Sequence, residues 1–512
     1  MGITQKLEQG PEQKLEDKKV NRRKNFQVMQ KLRGFFAFIL ISSIINIARG
    51  MPVGPDISFP LKSSLVWDQK VKSQLKMLKN FSPQGASRGI VIASPSRHEP
   101  DYYFHWVRDA AISYDVALQI YSDSNDGGIR SSLRDFSFDY VYLNQRIQND
   151  SRAMTGLGEP KFYVDGSPYG FRFSDWGRPQ NDGPALRAIN YVMLYQTVVR
   201  ENWAERDRLL PLIYDSTYPS NALLKKDLEF VARHWRDTSV DLWEEVRGNH
   251  FFTLLVQRKA LLMGADLAAT LQDPGAAFYY RTEAEKIKVE IESLWNPQAG
   301  YIFASRFEGD AGRYRESRLD TAVLFGALAG DYVDGFMAPY DDRVLATLHR
   351  LREVFGSIYQ INQNSTFGPA LGRYPEDVYD GVSTSIGNPW FIGTQAGAEI
   401  FYRTYIHLKG VGRISINSVN LKFYQSLVKD SAWLHPGMSL SPKDGLFYKI
   451  TDQLRIEGDK MLARTLYHGG EDGSLSEQMN RYSGYMQGAN DLTWSHASYL
   501  SAYYWREMSF QR

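Results

Sequence analysis

The chain has 512 residues, 43% of them hydrophobic and 23% charged, which is enough to build one large domain around a buried core. A formal net charge of +2 excludes a broad basic surface for nucleic acid or an acidic membrane. Cysteine is absent, which excludes disulfides, thiolate catalysis and Cys-ligated zinc.

Residues 1–28 mix charges with polar residues and read as disordered. An apolar run follows, Gly34 to Ala48, short of the roughly 20 residues that a membrane span needs. Lys31 and Arg33 precede it. Ala48 and Gly50 supply small residues at the −3 and −1 positions of a cleavage site. This is the architecture of a signal peptide with an overlong basic region, and a start at Met29 would make it an ordinary one. An uncleaved signal anchor is the alternative, and it alone would tie the chain to a membrane. A buried core helix fits less well, because the run has a basic flank and no amphipathic period. The expected division is therefore a targeting segment over 1–50 and one folded domain over 51–512, entering the secretory pathway to be secreted, held at the cell surface or sent to a vacuole. Asn80, Asn149 and Asn364 head N-x-S/T sequons compatible with that route.

Beyond residue 60 the apolar period is helical. Ile287, Ile291, Leu294 and Trp295 share one face before a stop at Asn296-Pro297. Val344, Leu348, Leu351 and Phe355 do so before Gly356. Segments around 186–200, 251–271, 394–408 and 452–467 read the same way. Long stretches rich in Gly, Pro, Asp and aromatics separate them, at 155–184, 367–390 and 468–493. The expected architecture is a single all-α domain whose connecting loops converge on one face. Gly85-Ala86-Ser87-Arg88-Gly89 matches a nucleophile elbow, but the apparent strand, Ile90 to Ala93, follows it where one must precede. It reads as a loop.

The loops carry the chemistry. Asp101 to Asp109, Trp176 to Pro184, Asp241 to Glu245, Gly372 to Tyr379 and Ser474 to Gln478 set carboxylates beside Trp, Tyr or Arg. Carboxylates supply acid and base, aromatic faces carry a pyranose ring, and Arg and Asp read its hydroxyls. Each block also has a plain reading. Asp241-x-x-Glu244 and Ser474-x-x-Glu477 both match helix capping boxes. Arg108-Asp109 fits a buried ion pair, and Trp176 fits a core residue. No metal-binding or nucleotide-binding motif occurs, so neither metal nor cofactor is expected.

The set as a whole resembles the fungal and yeast glucoamylases of glycoside hydrolase family 15. The matching blocks run in family order: Val91 to Ser96, Trp106 to Asp109, Gly156 to Phe162, Trp176 to Ala188, Asp241 to Glu245, Phe251 to Thr253, Gly372 to Tyr379, Asn388 to Phe391, Ser474 to Gln478 and Asp491 to Ser495. The resemblance implies an (α/α)6 barrel with long active-site loops. It implies inverting release of β-glucose from the non-reducing ends of α-1,4-glucans, by a monomer. On it, Glu244 is the expected general acid and Glu477 the general base. Arg108, Asp109, Arg373 and Glu245 are the expected contacts to the terminal glucose, and Tyr102, Trp106, Trp176 and Trp494 the aromatic walls. The chain departs from the pattern at Arg172, where a Tyr is typical and Tyr169 is the nearest substitute, and at Phe104, where a Tyr is common. No starch-binding module follows the Trp494 block, which implies soluble dextrins and glycogen as better substrates than granules. The rival readings are a hydrolase of another α-glucoside, such as an α-1,6-glucan or trehalose, and a non-catalytic, membrane-anchored binding relative.

Overall fold

The computed structural model describes residues 57–170, 177–199, 203–309, 313–363 and 365–511. They fall in one compact unit, residues 54–512. The apolar run at 34–48 lies outside the described residues. Within them, no helix is long and apolar enough to cross a membrane.

Twelve helices alternate between an outer and an inner position. The outer ones are α1 (Ser63–Lys79), α3 (Gly127–Gln148), α5 (Leu223–His234), α7 (Pro274–Glu292), α9 (Asp342–Ile358) and α11 (Gly445–His468). The inner ones are α2 (Val107–Asp123), α4 (Asp182–Leu194), α6 (Phe251–Thr270), α8 (Ala322–Ala329), α10 (Phe391–Val411) and α12 (Thr493–Phe510). Each inner helix packs on the next, and α12 packs on α2, so the inner ring closes. The outer helices pack around that ring in turn: α7 on α6, α11 on α10 and α1 on α12. This is the expected (α/α)6 barrel.

Sequence explains the two roles. The most central inner helices are buried on every side: α10 buries Phe391 to Tyr402 without a break, and α6 buries Phe251 to Arg258. Outer helices bury one stripe. On α9 the buried residues include the expected Val344, Leu348, Leu351 and Phe355. Asp341 caps α9 by accepting from the Arg343 amide, and Asp273 caps α7 by accepting from Ala276, with Pro274 in the first turn. The helix α7 ends at Glu292, earlier than the apolar pattern suggests, and Leu294 is buried from the turn that follows. Gly326 lets α8 lie on α6, since a methyl group there would stand 2.9 Å from the Phe251 ring. Gly85–Gly89 is a loop, as expected.

All six inner helices present their N-termini to one end of the barrel, where the long loops gather. Short strands stiffen those loops. β1 (His105–Trp106) pairs with β2 (Lys161–Phe162), and β3 (Ser239–Val240) pairs with β4 (Arg247–His250), which also pairs with β5 (Ser305–Phe307). β6 (Gln478–Met479) and β7 (Met486–Gln487) form a hairpin.

Candidate active site

At that end lies a cavity of about 350 Å³. Tyr102, Trp106, Arg108, Asp109, Glu244, Glu245, Arg373, Glu477 and Trp494 all line it. Nine of the ten residues expected to act or bind are thus together; Trp176 lies outside the described residues, as does Arg172.

Glu244 stands on the turn between β3 and β4, and no helix begins there, so the capping-box reading fails. The Asp241 carboxylate instead accepts from the amides of Glu245 (2.9 Å) and Val246 (3.0 Å), and Arg315 holds it at 2.7 Å. That knot puts Glu244 at φ +65°, a left-handed conformation that costs a non-glycine residue about 1–3 kcal/mol. Its carboxyl lines the cavity. Oε1 accepts from the Trp106 indole (2.7 Å) and from Gln180 Nε2 (3.2 Å), with Arg108 at 3.5 Å. Gly177 lies against it, leaving 2.9 Å between a would-be methyl group and the Glu244 Cβ.

Glu477 immediately precedes β6, and again no helix follows. Its carboxyl is 0% exposed. Tyr102 donates to Oε1 (2.8 Å) and Tyr379 to Oε2 (3.3 Å), the two hydroxyls lying 3.2 Å apart. Gly488 faces it across the hairpin at φ +74°. A methyl group there would sit 2.2 Å from Oε2, so only glycine fits. The two carboxyls share no hydrogen bond. They stand at opposite ends of an aromatic pair, Tyr102 and Trp106, whose rings are 5.3 Å apart.

The first turn of α2 supplies Arg108 and Asp109. Arg108 donates to Gln180 (2.7 Å) and Asp182 (2.9 Å), and it approaches its neighbour Asp109 only at 3.8 Å. The ion-pair reading therefore describes Arg108 with Asp182 and leaves Asp109 facing the cavity. Arg373 grips Asp377 with two bonds (2.9 and 2.5 Å) and reaches Glu245 at 2.8 Å. Glu245 also accepts from Tyr374 (2.6 Å) and Arg315. Trp243 and Trp390 meet edge to face at 5.4 Å beneath this network, where the Trp243 indole donates to Asp320 at 3.0 Å.

Burial pushes both carboxyls up. For Glu244 the push is opposed by Arg108, Gln180 and Lys161, and the net shift is upward. For Glu477 it is opposed by the Tyr102 hydroxyl, Arg373 and Tyr379, and the group reaches about 8. Asp109 is raised to about 6, again by burial. The expected general acid at 244 and general base at 477 would be served by the higher value at the acid. In the free protein the carboxyl expected as the base carries a markedly raised value, driven by its burial.

Several members of the site were not singled out from sequence. Gln180 bridges Arg108 and Glu244 from the loop before α4. Lys161 on β2 lies about 4.1 Å from the Phe104 and Trp106 rings and 4.2 Å from Tyr169. Burial lowers its pKa to about 8. The G-L-G-E-P-K-F block carried that lysine without declaring its role. Tyr169 packs on Phe104 at 5.3 Å and is not among the residues lining the cavity. Of the sequon residues, Asn80 is 5% exposed, and its amide donates to the Thr493 hydroxyl (2.8 Å) and the Asp491 carbonyl (3.2 Å), so in the folded chain it is an internal tie. Asn149 is exposed at the end of α3, and Asn364 lies outside the described residues.

Two separately held carboxyls in one aromatic, arginine-lined cavity define a site of the two-carboxylate glycoside hydrolase class. Comparison with known proteins agrees. The profile of Glycosyl hydrolases family 15 matches residues 69–504. A glucoamylase of Blastobotrys adeninivorans is 37% identical over 446 residues, 84% of this chain and 69% of that protein. A probable glucoamylase of Schizosaccharomyces pombe is 34% identical over 485 residues, 93% of this chain and 99% of that protein. The solved glucoamylase from Saccharomycopsis fibuligera superposes with a TM-score of 0.77 at 30% identity, covering 90% of this chain and 98% of that one. The chain belongs to glycosyl hydrolase family 15.

Proposed function

We propose that the chain is an exo-acting glucan 1,4-α-glucosidase that releases β-glucose from the non-reducing ends of starch, glycogen or maltodextrins. The observation that carries this is the pair of carboxyls, Glu244 and Glu477, facing one cavity from separate hydrogen-bond settings. Its volume, about 350 Å³, lies within the roughly 300–1,000 Å³ usual for ligand pockets. Glu244 protonates the leaving glycosidic oxygen, and Glu477 takes the proton of the attacking water, inverting the anomeric carbon. Arg108, Asp109, Arg373 and Glu245 hold the terminal glucose by charge-assisted hydrogen bonds. Tyr102, Trp106 and Trp494 form its aromatic walls.

The raised pKa of Glu477 in the free protein runs against a base, and hydrogen bonding counters it. Tyr102 and Tyr379 already donate to its carboxylate. The attacking water adds a donor, and each donor favours the charged form. The base therefore ionises more readily in the substrate complex than in the free protein. The test is digestion of maltoheptaose followed by NMR. Glucose appearing first as the β anomer, with no internal cleavage, is expected; α-glucose or mixed oligomers would overturn the reading.

Entry into the secretory pathway rests on the basic flank and the Ala48-x-Gly50 site. Relatives do not all share a location: one from Saccharomyces cerevisiae, 34% identical, is named an intracellular sporulation-specific glucoamylase. N-terminal sequencing of the mature protein decides it. A cytosolic chain beginning at Met1 would sink the proposal.

A further inference from the structure

Neither Arg315 nor Asp320 is among the residues lining the catalytic cavity, yet both are bound to the turn that bears Glu244. They lie on the segment that leads into α8. Arg315 donates to Asp241 at 2.7 Å and to Glu245. The Trp243 indole N–H points between the two Asp320 oxygens, 3.0 Å from each, and the Ala322 amide donates to Oδ1 at 2.7 Å. Asp241, Trp243 and Glu245 thus all hang on this one segment. Thr321 carries the hold to the arginine side of the pocket. Its amide donates to the Arg373 carbonyl at 2.9 Å, and its hydroxyl to the Gly372 carbonyl at 3.0 Å.

Asp320 is buried, and so is Trp243, which lines the cavity. The indole ring meets Phe325 at 5.9 Å and Trp390 at 5.4 Å, both edge to face. Those contacts are apolar and leave the ring free to tilt, whereas the bond to Asp320 sets one orientation. Without Asp320 the indole N–H would be buried and unsatisfied, and the ring would have to turn to find a partner. Trp243 immediately precedes Glu244, so that turning would pass into the backbone at its left-handed φ. A shift of about 1 Å in a reacting group can cost about 100-fold in rate. Burial raises the Asp320 carboxyl to about 7. Protonated or not, it keeps an acceptor oxygen for the indole.

We propose that Asp320 is a positioning residue, which through the Trp243 indole holds the turn that presents Glu244 to the leaving glycosidic oxygen. The inference rests on Glu244 being the general acid, as proposed above. Two substrates test it. Maltose needs its leaving oxygen protonated, whereas α-glucosyl fluoride releases fluoride ion with little need of an acid. Asp320→Leu keeps the shape and deletes the acceptor. It should lower kcat on maltose by about 30-fold, with KM changed less than about threefold and kcat on the fluoride nearly unchanged. Asp320→Asn, which keeps one acceptor oxygen, should restore kcat on maltose to within about threefold of wild type. Where Asp320→Leu does not fold, Trp243→Phe deletes the same bond from its other end and should show the same selective loss on maltose. Equal losses on the two substrates, unchanged maltose hydrolysis in a folded variant, or an Asn variant as poor as the Leu one would each overturn the proposal. A wild-type chain that hydrolyses neither substrate would overturn the glucosidase reading, and this inference with it.

Discussion

The corner of the catalytic cavity around Glu244 is rich in formal charge, and the corner around Glu477 is not. Arg108, Lys161, Asp109 and Asp182 surround the first, tied through Gln180 and the Trp106 indole. The second is built from phenol hydroxyls and a hairpin, with Arg373 as its main cation. Burial raises both carboxyls, opposed mainly by the charges of Arg108 and Lys161 at Glu244 and mainly by the Tyr102 hydroxyl and Arg373 at Glu477, which reaches about 8. The contrast teaches that the same upward push is answered by formal charge at one corner and largely by hydroxyl donors at the other.

Removing either carboxyl should break the comparison most severely. Glu244→Gln and Glu477→Gln should each lower kcat by several orders of magnitude, and the double variant should lose little more. Single-turnover rates on maltotriose measure this; an additive double loss would mean that the two do not act on one bond.

Asp109→Ala comes next. It should lower kcat/KM by about 100-fold or more, with an unchanged circular dichroism spectrum, because Asp109 faces substrate space and is only loosely tied to Arg108. Retained activity, or an unfolded variant, would return Asp109 to a structural role.

Tyr102→Phe sharpens the contrast from the hydroxyl side. It deletes the 2.8 Å donor to Glu477 and so disfavours the carboxylate. A base must be ionised, so the acidic limb of kcat/KM should move up by about 1 pH unit. An unmoved limb would assign it to another group. In the wild type the acidic limb of kcat should fall at lower pH than that of kcat/KM, since bound substrate and water add donors.

The smallest effect is on stability. A carboxyl raised to about 8 in the folded chain keeps its proton while the unfolded chain, near 4.5, has lost it. Folding is therefore penalised as pH rises from about 4.5 to 8, on the order of 1 kcal/mol per pH unit. Glu477→Gln lifts that penalty. Its stability advantage in urea should grow with pH over this window, and a constant offset would contradict the raised value.

Much of this was legible in the residues. The stripe on α9 and the helical reading of the segment that forms α10 follow directly from their order, and the motif blocks located Glu244 and Glu477. What sequence obscured was local and three-dimensional. Asp241 looked like a helix cap but is the knot of a turn, because β3 and β4 pair on either side of it. Arg108 looked like the partner of Asp109, but Asp182, far along the chain, takes that bond. Asn80 looked like a surface acceptor until α12 placed Thr493 beside it. Gln180 and Lys161 act through contacts that no spacing reveals.

Closure of the inner ring also constrains how the protein is made. The seam is α12, which packs on α2 and is tied to α1 by the Tyr499 hydroxyl on the Val66 carbonyl (3.0 Å) and to the residues just before α1 by Arg506 on the Leu61 carbonyl (3.2 Å). It is the last of the twelve helices to be translated, and it carries Trp494. During synthesis the nascent barrel is thus an open arc with apolar edges waiting for a partner made hundreds of residues later, the kind of exposed intermediate that chaperones shield. Translation that stops before Thr493 leaves an arc without its closing segment, and activity begins only after the ribosome has released the helix that completes the circle.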